Sequence, residues 1–257
     1  MIFTADTYLP SQFFESLFII REISGYQGIY VSNEMKAAKW NGKMQELLAK
    51  KFDLPLSAFL FIEEFQATTT PDIMQRTYIH KSYVQEYIQK TPSAQMLLEQ
   101  NPNSLIASIH VGLSAINSIN SQYSRPPLTY EDVWVGYPAI DFGLLDTLQS
   151  NVSQDLKQLM EAVSNPAIKV VSFNLFGTLL LRPYAKPSDI FMHLAQIHNV
   201  PEFPEIRAAA EKSARKKVKN GEINIFNIYE DIKADNTSGV IINNTAQDEI
   251  NLELSTL

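Results

Sequence analysis

The fold of this chain is decided by the stretch Ile168-Lys-Val-Val-Ser-Phe-Asn-Leu-Phe-Gly-Thr-Leu-Leu-Leu-Arg-Pro183. It contains a continuous apolar run of strand length, and Asn174 and Gly177 mark the turn that follows. Such a run is typical of a central strand in a parallel sheet that is buried on both faces. Asn174 would then lie at the carboxyl end of the strand, where open α/β sheets place their chemistry. The stretch therefore predicts an α/β fold with a functional edge at Asn174.

The first part of the chain supplies further strands for such a sheet. Residues 2–5 predict a strand, residues 12–24 a helix capped by Ser11, and residues 28–32 the next strand. This strand–helix–strand order is a βαβ unit. Residues 58–64 predict another buried strand, which ends in acidic residues. The sequence thus favours further strands of an α/β sheet in the first part of the chain.

The middle of the chain carries no recognisable motif, and its pattern is mostly helical. Residues 75–98 predict helices that are broken at Thr91-Pro92, and residues 105–119 and 155–163 predict further helices. Residues 134–138 predict an aromatic loop punctuated by glycine and proline. We interpret this region as a connector between two sheet-forming segments.

Composition and charge exclude several classes of function. The chain has 257 residues, 45% of them hydrophobic, a net charge of −7 and a mean hydropathy of −0.11, which is typical of a globular protein. The negative charge argues against nucleic acid as a partner, and no apolar run is long enough to predict a membrane span. The absence of cysteine excludes disulfides, thiolate zinc sites and a cysteine nucleophile. The first ten residues lack the pattern of a signal peptide, so we expect a cytoplasmic protein.

The turn after the organising strand resembles a known family motif. Phe173-Asn-Leu-Phe-Gly-Thr-Leu179 resembles the first motif of the haloacid-dehalogenase-like (HAD) phosphohydrolase superfamily, in which an Asp follows a buried strand and a Thr comes four residues later. The flanking residues resemble one bacterial branch of that superfamily. Thr178 matches the motif, but Asn174 stands where the family has the Asp that forms an aspartyl-phosphate. A carboxamide lacks the full negative charge with which a carboxylate attacks phosphorus.

The start of the chain resembles the second and third motifs of the same branch. Phe3-Thr-Ala-Asp-Thr-Tyr-Leu-Pro10 resembles the second motif, with Ala5 where the family has a serine that hydrogen-bonds the transferring phosphoryl group. Val31-Ser-Asn-Glu34 resembles the start of the third-motif region. Lys39 then aligns with the family's lysine, which balances the charge of nucleophile and phosphate. A solvated lysine on a helix is the alternative interpretation.

The metal-binding motif of the family is only partly matched. In the family the fourth motif supplies two Asp residues that hold Mg²⁺; here Glu64 stands at the first position and Thr69 at the second. Asp72 could serve only if the loop were three residues longer. Mg²⁺ demands near-ideal octahedral geometry, which the longer Glu side chain disturbs. The resemblance therefore implies an inactive site, with no cofactor expected, or Mg²⁺ if the site is active.

The motifs also occur in a permuted order, which predicts how the chain is organised. We expect a Rossmann-like, three-layer HAD core split into two halves. Residues 1–100 would form the half with motifs two to four, residues 101–165 a mainly helical connector, and residues 166–257 the half with motif one and cap helices. Three origins fit this order: a circular permutant, a homodimer formed by swapping of halves, or a piece of a longer tandem protein.

The leading hypothesis is a HAD-like hydrolase-fold protein that is catalytically inactive and acts as a binding or assembly module. The branch often accompanies glycosyltransferases in surface-polysaccharide pathways, so the resemblance implies a glycosyltransferase partner by analogy only. The alternative is a Mg²⁺-dependent phosphatase that uses Glu64, Asp72 and Asp6 in a rearranged site. A third hypothesis is a gene fragment without an evolved function and with exposed sheet edges. Substrate, partner and oligomeric state do not follow from the sequence.

Overall fold

The chain folds into two compact units in the computed structural model. The structure describes residues 1–64, 71–79, 82–133, 152–219, 221–234 and 246–257. The first unit takes the described residues of 1–80, 151–179 and 206–246, and the second takes those of 81–150, 180–205 and 247–257. Each unit is therefore assembled from three separate segments of the chain.

The first unit is built on a five-stranded parallel sheet. Its strands are β1 (Ile2–Ala5), β2 (Ile29–Val31), β3 (Phe59–Glu63), β4 (Thr77–Ile79) and β5 (Val170–Asn174), in the spatial order β2-β1-β5-β3-β4. The organising strand β5 is central, as its apolar sequence predicts, and it pairs with β1 on one side and β3 on the other. The α/β fold with a parallel sheet is thus confirmed, and residues 170–174 share one sheet with strands from the first 79 residues.

Helices occupy most of the remaining described residues. In chain order they are α1 (Ser11–Ile20), α2 (Ser32–Met35), α3 (Lys43–Phe52), α4 (Pro71–Met74), α5 (Tyr83–Lys90), α6 (Pro92–Gln100), α7 (Leu105–Gln122), α8 (Tyr130–Val133), α9 (Val152–Val163), α10 (Asp189–Ile197), α11 (Phe203–Lys217), α12 (Ile225–Ala234) and α13 (Ala246–Thr256). Among the helices within the described ranges, none combines the length and the hydropathy needed to cross a membrane.

The two faces of the sheet are covered by different helices. On one face, Met44 of α3 belongs to a buried cluster with Phe61 of β3 and Val170 of β5. On the other face, the Phe3 ring of β1 meets the Phe18 ring of α1 edge-on, with 4.9 Å between ring centroids. Because successive side chains of a strand point to opposite faces, every second residue from Val170 onward lies on the α3 face. That set includes Asn174.

Three local predictions need correction or lie outside the description. Residues 75–98 were expected to be helical, but Thr77–Ile79 forms the edge strand β4, which pairs with β3. Ser11 was expected to cap α1; it is instead the first residue of the helix, and its N–H donates to the Glu34 carboxylate at 2.8 Å. A carboxylate at this position satisfies an unpaired helical N–H and complements the helix dipole. The predicted aromatic loop at residues 134–138 lies outside the described residues.

The second unit is helical and closely packed. Its apolar cluster joins α5, α6 and α7 through Val84, Ala94 and Val111, and the segment before α10 joins it through Ala185. Gly112 of α7 lies directly against the backbone of the 183–184 peptide, where a Cβ atom would overlap main-chain atoms. A helical residue other than glycine would therefore force the two segments apart.

His193 of α10 is buried in the second unit and has a lowered pKa. Its Nδ1 atom shares a hydrogen bond of 2.8 Å with the Tyr184 hydroxyl. Burial disfavours the charged imidazolium and lowers the pKa of His193 to about 4, and burial raises the pKa of Tyr184. His193 is therefore neutral in the folded protein at neutral and mildly acidic pH.

This burial predicts a loss of stability in mild acid. The unfolded chain binds a proton at the ordinary histidine pKa of about 6.5, whereas the folded chain binds it only near pH 4. Stability should fall as the pH drops from about 6.5 to 4, by up to about 3 kcal/mol from this group. Urea unfolding between pH 4 and 8 should show a shallower acid slope for His193→Gln than for the wild type. Equal slopes would contradict the assignment, and the buried Asp189, present in both proteins, cancels from the comparison.

Candidate functional site

The candidate site forms at the carboxyl edge of the sheet, where β5 ends at Asn174. The side chain of Asn174 is 6% exposed and is held at both of its polar atoms. Its Nδ2 atom donates to the backbone carbonyl of Phe176 at 2.6 Å, and its Oδ1 atom accepts from Lys39 Nζ at 2.6 Å. The amide is thus fixed in one orientation, with its oxygen toward the lysine.

Lys39 bridges Asn174 and an acid on the neighbouring strand. Its ammonium donates to Glu63 Oε2 at 2.7 Å, and the side chains of both residues are only 6% exposed. The register places Ile62 of β3 opposite Phe173 of β5, so Glu63 and Asn174 end their strands side by side. Both side chains project to the α3 face, because in each strand the residue continues the series of every second residue that faces α3. The three side chains therefore form one buried, hydrogen-bonded group.

The turn that carries Lys39 is positioned by Asp6. The Asp6 carboxylate follows β1 and accepts the backbone N–H of Lys39 at 2.8 Å and that of Trp40 at 3.3 Å. Gln45 of α3 adds a third contact, with its Nε2 atom donating to the Lys39 carbonyl at 3.2 Å. The segment after β1 is itself tied to α2, whose Asn33 side chain donates to the carbonyls of Thr7 and Leu9. Lys39 is consequently held by backbone contacts as well as by its ammonium.

The structure brings some of the predicted site residues together and leaves others outside this group. Lys39 and Asn174 are in direct contact, and Ala5 ends β1 one residue beyond Thr4, the register partner of Asn174. Thr178 lies in the turn after β5. Glu64 lies against Gly177 rather than on Lys39. Asp72 falls in α4, and its side chain is outside the described part of the structure.

Sequence reasoning missed Glu63 as the partner of Lys39. The family alignment pointed to Glu64, the next residue, as the acid of the site. The alternation of β3 contained the missing signal, because Phe59 and Phe61 are core residues of the α3 face and Glu63 continues that series. A period-two argument across β3 and β5 would have placed Glu63 and Asn174 on one face.

Gly177 provides a test of the turn that follows Asn174. Its φ of +74° suits glycine, and a Cβ atom there would collide with the Glu64 carboxylate. We expect Gly177→Ala to lower the free energy of unfolding by about 2 kcal/mol, from backbone strain and displacement of Glu64. Gly25, with φ +80° and open space around it, is the matched control, and Gly25→Ala should cost only the backbone part, about 1 kcal/mol.

The excess cost at Gly177 should depend on Glu64. In a Glu64→Ala background, Gly177→Ala and Gly25→Ala should lower the free energy of unfolding by the same amount within error. Urea unfolding of Glu64→Ala and of the two double variants would measure this. If the excess persists without the Glu64 side chain, the contact between Glu64 and Gly177 is not its source.

The electrostatics of the site do not suit a phosphate dianion. Lys39 supplies one positive charge, and Glu63 compensates it at 2.7 Å. Asp6 and Glu64 add carboxylates at the same edge of the sheet. Within the described ranges, no group of three or more His, Asp or Glu side chains is placed to hold a metal ion. A phosphate group would meet carboxylates and an already paired lysine at this edge.

Comparisons with known proteins add no relative. No protein-family model, no curated protein and no solved structure matches the chain. The site must therefore be interpreted from its own residues.

Proposed function

We propose that the chain is a degenerate HAD-like protein that does not transfer phosphoryl groups and acts as a binding or assembly module. One observation carries the proposal. Residues from three separate motif regions, Asn174, Lys39 and the acidic end of β3, converge on one point of the sheet edge. If the short motifs resembled the family only by chance, these residues would have no reason to converge. A degenerate HAD core that is split in the sequence and joined in one sheet requires them to converge.

The chemistry of the same residues argues against catalysis. The Asn174 amide carries no negative charge, and its Nδ2 and Oδ1 atoms are both committed to hydrogen bonds. Ala5 offers no side-chain donor to a phosphoryl group. In the family the lysine balances the charge of the nucleophile and the phosphate, whereas the charge of Lys39 is balanced by Glu63. Each of these substitutions removes a separate contribution to phosphoryl transfer, so reverting any one of them should not restore it.

The alternative of a Mg²⁺-dependent phosphatase gains no support from the described contacts. It requires carboxylates to converge beside Asn174. Asp6 is occupied by the backbone N–H groups of Lys39 and Trp40, and its role is to position that turn. The parts of this alternative that involve Glu64 and Asp72 as Mg²⁺ ligands stay predictions.

The partner of such a module is proposed by analogy. A glycosyltransferase remains the partner that the family resemblance implies, and exchange of β5 between two copies would give a homodimer. Because β5 is the central strand of the sheet, such an exchange would require the sheet to open between β1 and β3. A cytoplasmic location also stays a prediction.

Hydrolysis of an aryl phosphate with Mg²⁺ tests the proposal. We expect no turnover above background by the wild type or by Asn174→Asp, because Ala5 and the metal positions remain substituted. Light scattering on the same samples should show whether the 29.1 kDa chain is a monomer or a dimer. Turnover by the wild type that is lost in Lys39→Met would contradict the proposal. The loss in the variant would distinguish this activity from a contaminating phosphatase.

A further inference from the structure

The buried group of Lys39, Asn174 and Glu63 brings together three functional groups that can take part in a covalent reaction between side chains. Lys39 Nζ lies 2.6 Å from Asn174 Oδ1 and 2.7 Å from Glu63 Oε2. The three residues are 5–6% exposed. The Lys39 amine thus contacts both a primary amide and a carboxyl group in a site that is largely closed to water.

We propose that Lys39 and Asn174 join through an isopeptide bond, with Glu63 as the proton carrier. The Lys39 ammonium first gives a proton to Glu63, and the neutral amine attacks Cγ of Asn174. The new Cγ–Nζ bond forms while the Cγ–Nδ2 bond breaks, and Nδ2 leaves as ammonia. Of the three ammonium hydrogens, one stays on the new amide nitrogen, one leaves with Nδ2 in ammonia, and one remains on the carboxyl group of Glu63. No oxidant, reductant or other reactant is needed.

Burial and fixed geometry favour each part of this reaction. The Lys39 ammonium and the Glu63 carboxylate are in direct hydrogen-bond contact, so a proton can pass between them without an intervening water. Groups held in contact react with effective concentrations far above those in solution. The hydrogen bond from Asn174 Nδ2 to the Phe176 carbonyl prevents the amide from turning away. Exclusion of water suppresses hydrolysis of the amide as a competing path.

The cross-link would join segments that lie far apart in the sequence. Lys39 and Asn174 are separated by 135 positions, and they connect the turn before α3 to the central strand. A bond that closes so long a loop restricts the unfolded chain strongly, as a disulfide would in a protein that has cysteine. This inference concerns the three side chains alone and does not rest on the proposed function.

Intact-mass spectrometry of the purified wild-type protein under denaturing conditions tests the proposal directly. We expect a mass that is one ammonia below the value calculated for the same N-terminus. Trypsin should then release residues 37–43, uncleaved after Lys39, joined to residues 170–207, since Arg182 and Lys186 are followed by proline. A full calculated mass with normal cleavage after Lys39 would overturn the proposal without the need for any variant.

Two variants and a control separate the cross-link from other losses of ammonia. Lys39→Arg and Glu63→Gln should restore the full mass, whereas Lys43→Arg, at an exposed lysine of the same region, should keep the loss. Asn41-Gly42 can also lose ammonia, by closing to a succinimide, and that loss would survive in Lys39→Arg. A loss that survives Lys39→Arg therefore overturns the proposal. A cross-link that persists in Glu63→Gln overturns the role of Glu63.

Discussion

Replacing Lys39 by methionine is expected to lower the free energy of unfolding by about 3–5 kcal/mol, because Glu63 would lose its cation in a buried site. The Lys39 and Glu63 side chains are each 6% exposed and 2.7 Å apart, so solvent screens their interaction little. Asn174 would also lose the donor to its Oδ1 atom. This cause applies to a free Lys39 ammonium; in the cross-linked form Glu63 has no cation to lose, and the substitution instead removes the cross-link and the hydrogen-bond partner that Lys39 gives Glu63. Urea unfolding followed by circular dichroism would measure it.

Two further variants identify the cause of that loss. Lys43→Met removes an exposed lysine from the same region and should change stability by no more than about 0.5 kcal/mol. Lys39→Met combined with Glu63→Gln removes both charges and should be more stable than Lys39→Met alone. A double variant as unstable as the single one would show that an uncompensated carboxylate is not the source of the effect.

The second large effect is expected in the other unit, at Arg182. Its guanidinium binds Glu253 of α13 with two nitrogens, Nε at 2.9 Å from Oε2 and Nη2 at 2.7 Å from Oε1. The side chain of Glu253 is fully buried. Arg182→Met would leave this carboxylate buried without its cation, and we expect it to cost about 3–5 kcal/mol in the free energy of unfolding. The geometry is specific to arginine, so Arg182→Lys should recover only part of the loss.

An exposed ion pair in the same unit gives the matched control. Lys90 and Glu86 form a pair one helical turn apart on α5, and the Lys90 side chain is 52% exposed. Lys90→Met should cost no more than about 0.5 kcal/mol, because solvent screens exposed pairs. Similar losses from Arg182→Met and Lys90→Met would contradict the view that burial of Glu253 makes Arg182 important.

Local pattern was sufficient to predict most elements of the fold. The apolar run at Val170–Asn174 predicted the central strand, and the break at Thr91-Pro92 predicted the boundary between α5 and α6. Proline cannot continue a helix from the preceding residue but suits the first helical turn, which is why this boundary could be predicted. Such signals depend only on neighbouring residues.

Two of the elements that were not predicted, β4 and α13, depend on distant partners. Thr77–Ile79 has only three residues and becomes a strand because β3 offers it an edge, with Thr77 opposite Phe61. The helix α13 includes the acids Glu249 and Glu253, which are both fully buried. Glu253 is stabilised there by Arg182, 71 positions away. Tertiary contacts determine whether a short strand forms and whether an acid is buried. The local propensities of the residues carry no information about such contacts.

The sequence by itself determined the α/β class and the position of the central strand, and it predicted Asn174 and Lys39 as site residues, whose side chains are in contact in the structure. Only the tertiary structure decided that β5 lies between β1 and β3 and that Glu63, not Glu64, is the acid that Lys39 binds. The physical reason is that the register of parallel strands is fixed by contacts between distant segments. A shift of one residue exchanges the two faces of a strand, and with them the acid that meets Asn174.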